Sequence, residues 1–287
     1  MATLNQTLSQ ALSRIERPGD FCTTGTRDIY TPRLEVTDVG RIALPLTATQ
    51  AEQLIGIAEP APYGRGEETL LDHEVRRTWQ IDAGRIRLGG KHWAGDLLAI
   101  VERALAGLGV SASVTAEFYK LLLYDAGSFF TAHRDTEKSP GMFATLVIVL
   151  PSQYRGGELL VKHGGHTVSL DLYREEPCEA AFAAFYADCL HEVKPVESGH
   201  RLTLIYNLIR TDSDAELPKP PDYSAERAEV VALLQDWAQA QAAGPIKLLY
   251  PLEHAYTEAE LGFAGLKNVD AAIAEVLTAA ATEADCE

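Results

Sequence analysis

Apolar and polar positions come in short β-prone runs from about Ser113 to Arg210: TAEFYKLLLYD, SFFTAHRD, MFATLVIVL, GGELLVKH, HTVSLDLY, AAFAAFYAD, HEVKPVES and HRLTLIYNLI. A strand sends successive side chains to opposite faces, so runs of this length between Gly, Pro and polar turns predict strands. That many in so short a stretch predict an antiparallel sandwich or jelly roll.

The flanks follow a helical period instead. Leu4, Leu8, Ala11, Leu12 and Ile15 mark a short amphipathic helix. A second runs from Thr47 to about Ala58, with Thr47 or Thr49 as N-cap and Pro60-Ala61-Pro62 as its stop. A third, Trp93 to about Leu108, buries Leu97, Ile100, Val101 and Leu105. Residues 18–46, punctuated by Pro18, Gly19, Pro32, Gly40 and Pro45, predict irregular backbone with a strand or two, and EVRRTWQI predicts another strand. After the Pro-rich LPKPPDY, the pattern gives a helix over Ser224–Ala243 with Val231, Leu234 and Trp237 on one stripe, a strand at KLLYPL, and helices near Glu258–Gly265 and Val269–Ala281. The expected organisation is α+β, in one compact unit. A support region covers 1–112, a jelly-roll core 113–212 and a mainly helical extension 213–287.

Composition narrows the function classes. With 287 residues and 46% hydrophobic content the chain can bury a sizeable core, which excludes disorder as its main state. Lys and Arg total 25 against 41 Asp and Glu, giving −16, the wrong sign for gripping phosphate backbones, so no nucleic-acid partner is expected. The acidic exterior would suit a basic protein substrate. The apolar run MFATLVIVL is far short of the roughly 20 residues that cross a bilayer, and Asn5, Gln6 and Arg14 interrupt any signal-peptide core. No membrane partner is therefore expected. Cys22, Cys178, Cys189 and Cys286 are scattered without a CxxC pair, which fits a reducing, cytoplasmic setting.

The candidate chemistry lies in FFTAHRDTEK. His133 and Asp135 are two apart, so on a strand an imidazole and a carboxylate project to the same side. A third donor, His191, sits in a later β-run, and Arg201 follows ten residues on. Two His and one carboxylate make a facial triad that leaves coordination positions open, as non-haem Fe(II) oxygenation needs. A closed structural zinc site would want a fourth protein ligand.

These residues resemble the Fe(II)- and 2-oxoglutarate-dependent oxygenases, specifically their prolyl-4-hydroxylase-like branch. That branch carries Y-x-x-G-x-x-aromatic-x-x-H-x-D, matched by Tyr124, Gly127, Phe130, His133 and Asp135. A G-G-x-L strand follows, here Gly156-Gly157-Glu158-Leu159, and then the distal His191 with Arg201. The resemblance covers about Ala116 to Leu208 and implies a double-stranded β-helix with flanking helices. It implies that His133, Asp135 and His191 hold Fe(II), and that Arg201, Tyr124 and Thr203 hold the 2-oxoglutarate. It also implies O₂ as co-reactant, with ascorbate as a supporting reductant. The implied reaction is hydroxylation of an aliphatic carbon, first of a peptidyl proline. The alternatives are a small-molecule hydroxylase acting on a free amino acid or natural product, and a non-catalytic jelly-roll binding or sensor module. Where some relatives carry an inward Tyr, MFATLVIVL offers Thr145, Val147 and Val149, which leaves Tyr124 as the phenol contact.

Other residues stand apart from the motif. Cys189, two before His191, reads as a small pocket-lining thiol or a metal ligand. His163 and His166 flank a Gly-Gly turn and read as hairpin residues, with metal binding the alternative. Arg76, Arg77 and Trp79 form either a substrate-binding edge or a packed strand. The loops TEKSPGM and PYGRGEE are lid candidates.

Overall fold

The computed structural model describes residues 4–15, 19–65, 68–70, 76–135, 139–163, 165–211, 218, 220–239, 247–252, 266 and 268–286. The chain forms two compact units, one of residues 20–220 and one of residues 1–19 with 221–287.

Two antiparallel sheets build the larger unit. Their strands are β1 (Cys22–Asp28), β2 (Glu59–Pro60), β3 (Arg76–Arg77), β4 (Trp79–Asp82), β5 (Val114–Tyr124), β6 (Phe129–His133), β7 (Met142–Leu150), β8 (Leu159–His163), β9 (His166–Leu170), β10 (Glu179–Tyr186), β11 (Leu190–Val193) and β12 (Arg201–Arg210). The major sheet runs β1-β10-β7-β12-β5-β4-β2 and the minor sheet β9-β8-β11-β6-β3. This is a jelly-roll core, as the short alternating runs predict. Every residue of β7 is buried, which is why that strand reads as an unbroken apolar run; both of its faces are covered. HEVKPVES is divided between β11 and a separate strand, Val196–Gly199, which pairs with Tyr154–Gly156. Pro195, which has no N–H to give to a ladder, lies at the break.

Helix α2 (Ala48–Ile57) starts at Thr47, whose side chain accepts from Gln50 N, and α3 (Trp93–Leu108) ends at Gly109 with φ 71°, the left-handed cap that glycine adopts without strain. Helix α3 packs against β1 and β10. Its buried Asp96 pairs with Arg27 at 2.9 Å, and the Tyr186 hydroxyl donates to the Leu108 carbonyl at 2.8 Å. The sequence before Ser113 thus supplies both edge strands of the major sheet and a helix that covers it. A three-stranded sheet of Arg33–Val36, Gly40–Ile42 and Ile86–Gly89 lies in the same region.

The smaller unit contains α1 (Leu4–Leu12), α4 (Ser224–Gln239) and α5 (Asn268–Glu283). Leu8, Ala11, Leu12 and Ile15 pack with Val230, Val231, Leu234, Ile273, Val276 and Ala280 in a core of their own. The strand expected at KLLYPL does not form: residues 247–252 belong to no strand among the described residues, and Leu249 is 93% exposed. An apolar run becomes a strand only where another edge accepts its hydrogen bonds. The helix expected near 258–265, residues 136–138 of TEKSPGM and residues 66–67 of PYGRGEE lie outside the described residues. Among the described residues no helix is long and apolar enough to cross a membrane.

Candidate active site

His133 ends β6, and His191 lies directly opposite it on β11. Asp135 follows two residues after His133, held by its backbone N–H donating to the Ala187 carbonyl at 3.1 Å. His133 Nε2 is 3.9 Å from Asp135 Oδ1, and His191 Nε2 is 3.8 Å from Asp135 Oδ2. One donor atom from each of the three lies within 4.8 Å of the others. The ring of Phe130 stacks on His133, and that of Phe185 lies against His191.

The other nitrogen of each imidazole is committed. His133 Nδ1 is 2.9 Å from the Thr131 carbonyl and His191 Nδ1 is 3.1 Å from the Cys189 carbonyl. A carbonyl only accepts, so each Nδ1 carries a proton, and Nε2 is the nitrogen of each ring left to face a metal. Burial, and then the charge of His191, lower the His133 pKa to about 3, which keeps that ring neutral. Burial alone would raise the Asp135 carboxyl. The His191 imidazole, the Thr145 hydroxyl and His133 together hold it below its ordinary value, so it is ionised. Two imidazoles oriented through their Nδ1 hydrogen bonds and one carboxylate are a donor set that fits a divalent cation and leaves room for further ligands.

Arg201 opens β12, opposite Tyr124 of β5. It is 1% exposed, its Nη1 donates to the Gly157 carbonyl at 2.8 Å, and its Nε has no partner. Thr203 Oγ1 and Asn207 Nδ2 are also buried without partners. Unpaired buried donors cost about 1–3 kcal/mol each, more where charged, so a cluster of them on one strand face fits a carboxylate ligand. Arg201, Ile205 and Asn207 line the same cavity as His133, Asp135 and His191, about 210 Å³ in volume, and Tyr124 lines it too. Thr203 is buried on that strand face but is not part of the lining.

Two further residues stand beside the motif set, Tyr154, which the sequence did not single out, and Arg76, which it offered as part of an edge. Tyr154 lies beside Arg201, with its ring centroid 5.9 Å from the guanidinium carbon and its hydroxyl unpartnered. Burial pushes that phenol up to about 12. It precedes Gly156-Gly157 in a three-residue strand too short to show alternation. The second is a further cation: Arg76 is buried in the cavity wall, lies over the Phe130 ring at 4.1 Å and donates to the Pro62 carbonyl at 2.8 Å. Its Nε has no partner. Arg77, one residue on, faces outward and pairs with Asp125 at 3.6 Å. Of the expected edge trio, Arg76 alone reaches the cavity. Nor does Cys189 line it; its Sγ instead donates to the Phe21 carbonyl, and burial raises the thiol to about 12.

Residues 119–209, which include every one of these cavity residues but Arg76, match the model of the 2OG-Fe(II) oxygenase superfamily. The chain carries a 2OG-Fe(II) oxygenase core. The family implies Fe(II), 2-oxoglutarate and O₂, and the donor set of the core fits the metal. Similar solved structures include a Pseudomonas putida prolyl-4-hydroxylase, 18% identical over 71% of this chain and 100% of that one, TM-score 0.38. Another is a Trichoplax adhaerens prolyl hydroxylase in complex with a hypoxia inducible factor oxygen degradation domain peptide fragment, 13% identical over 72% and 92%, TM-score 0.42. A third is the non-heme alpha ketoglutarate dependent epimerase SnoN from nogalamycin biosynthesis, 14% identical over 75% and 95%, TM-score 0.37. At these values the likenesses carry no argument about what the oxygenase core acts on. No curated protein matches the chain.

Proposed function

We propose that the protein hydroxylates an aliphatic C–H group, with a peptidyl proline the first substrate to test. The observation that carries this reading is the cavity shared by His133, Asp135, His191 and Arg201. In it, His133, Asp135 and His191 would hold Fe(II). Arg201, with Tyr124 and Thr203, would hold the far carboxylate of 2-oxoglutarate through charge-assisted hydrogen bonds in a water-poor interior. When bound, iron and cosubstrate would supply the oxidising chemistry with O₂ as the oxidant, one oxygen atom going to succinate as 2-oxoglutarate loses CO₂ and the other to the hydroxylated carbon. The chain's own part is to orient both and to exclude water, for which Phe130, Phe185, Leu159 and Val147 supply apolar wall.

A cavity of about 210 Å³ lies below the roughly 300–1,000 Å³ of pockets that enclose drug-sized ligands. With the cosubstrate inside, space remains for one side chain or a compact molecule. That supports a substrate presenting a single residue, the rest of it lying against the half-exposed Gln80, Tyr119 and Lys120. A free amino acid or similar small molecule meets the same limit and is the second reading.

Iron-dependent succinate formation from 2-oxoglutarate tests the assignment. It is expected in the wild type and lost in His133→Ala and Asp135→Ala. A folded, iron-loaded protein that neither binds nor turns over 2-oxoglutarate would overturn it in favour of a binding module. Mass spectrometry of a treated lysate separates the two substrate readings by whether one oxygen atom is added to proteins or to metabolites.

A further inference from the structure

Two side chains that the oxygenase chemistry leaves aside, Cys189 and His163, converge in space. Strands β8 and β11 pair Val161 with His191 and then Lys162 with Leu190. One step further, the register brings His163 to Cys189. Both residues lie two positions from that first pair, so they share the inward face with His191. Across the hairpin His163 pairs with His166, which puts His166 in the same row. Asp188, in the turn between β10 and β11, completes the group. His163, Asp188 and Cys189 each offer a ligand atom within 4.8 Å of the other two.

We propose that His163, Asp188 and Cys189 form a second metal site that takes Zn(II). A thiolate, an imidazole and a carboxylate are ligands zinc accepts, at about 2.0–2.3 Å each in a tetrahedron. Donor atoms so placed sit roughly 3.3–3.8 Å apart, so the group must contract by about 1 Å. Exposed Asp188 and half-buried His163 have the freedom to do so while buried Cys189 stays anchored. A tetrahedral ion there would have a fourth position open to water. The thiolate separates this site from the His133, Asp135, His191 set, which holds only nitrogen and oxygen donors and suits a harder ion. The two are linked through backbone, because the Cys189 carbonyl accepts from His191 Nδ1. An ion held here fixes the peptide that orients one imidazole of the other site.

Metal-stripped full-length protein, titrated with Zn(II) and separately with Co(II), tests the site. Wild type is expected to retain two Zn(II) per chain after desalting, and Cys189→Ser, His163→Ala and His133→Ala one each. With Co(II), thiolate-to-metal charge-transfer absorption in the near-ultraviolet is expected in wild type and in His133→Ala. It is expected to vanish in Cys189→Ser and to fall at least tenfold in His163→Ala. Should Cys189→Ser fail to fold, His163→Ala and Asp188→Asn, both altered at accessible positions, decide the matter. A wild type without the band, a band that survives Cys189→Ser, or a band that needs large metal excess and so marks an adventitious ion only, overturns the proposal.

Discussion

Thr145 Oγ1 donates to Asp135 Oδ2 at 2.6 Å, joining the middle of β7 to the segment after β6 and so the major sheet to the minor one. A carboxylate with one oxygen held in this way has little freedom to rotate. Outer partners of metal ligands typically contribute 10–100-fold in metal affinity. Thr145→Val keeps the shape and removes the donor, so Fe(II) is expected to bind roughly 10–100-fold more weakly while the fold persists. Anaerobic Fe(II) titration with a thermal melt alongside reads both, and unchanged affinity would count against Asp135 as a ligand.

Arg201 donates to Gly157 O and has the rings of Tyr124 and Tyr154 at 5.3 and 5.9 Å, with its Nε still unpaired. Replacing the fork by an ammonium keeps the charge and loses the paired geometry. Arg201→Lys is expected to raise KM for 2-oxoglutarate by roughly 10–150-fold, the equivalent of one charge-assisted hydrogen bond at about 1.5–3 kcal/mol, with a smaller change in kcat. Steady-state succinate formation across 2-oxoglutarate concentrations measures the split. Equal loss in both constants would place Arg201 outside the cosubstrate site.

Gly157 has φ 75°, and a Cβ there would lie 2.9 Å from Val196 Cγ2. Left-handed backbone costs an L-residue roughly 1–2 kcal/mol before any clash. Because the carbonyl of this residue holds Arg201, Gly157→Ala is expected to do two things at once: lower Tm by several degrees and raise KM for 2-oxoglutarate. A melt paired with kinetics would show whether stability drops alone.

Unfolded, the His133 imidazole takes its proton near its ordinary value of 6.5; folded and metal-free, it waits until about 3. Between those values the unfolded chain binds the extra proton, so the stabilising difference is complete above about pH 6.5 and is lost as pH falls toward 3. Asp135, held below its ordinary value, acts in the same direction at the acid end. Chemical denaturation of metal-free protein from pH 7 to pH 4 is expected to show falling stability, with a shallower slope in His133→Phe. Equal slopes would mean that His133 titrates normally.

How far the chain could be read depended on whether local pattern or distant pairing decided the outcome. Helix α3 was legible because its stripe and the stop at Gly109 are local, and His133-x-Asp135 was legible because strand alternation alone puts both on one side. Which of Arg76 and Arg77 turns inward depends on the phase of a two-residue strand, and that is set by its partner Phe129–Phe130 on β6 rather than by neighbours. KLLYPL has strand composition but pairs with no strand among the described residues, and composition cannot report that. His163 and Cys189 each looked minor alone, since only the register of β8 against β11 makes them neighbours.

The helices of the smaller unit come from opposite ends of the chain order: Arg14, just after α1, bonds to Glu229 on α4, 215 residues away. At about 5–20 residues per second on a ribosome, α1 emerges with Leu8, Ala11, Leu12 and Ile15 bare for roughly 10–40 s before their partners are synthesised. Throughout that interval the stripe is available to chaperones or to neighbouring nascent chains, and any message cut short before α4 leaves it uncovered for good.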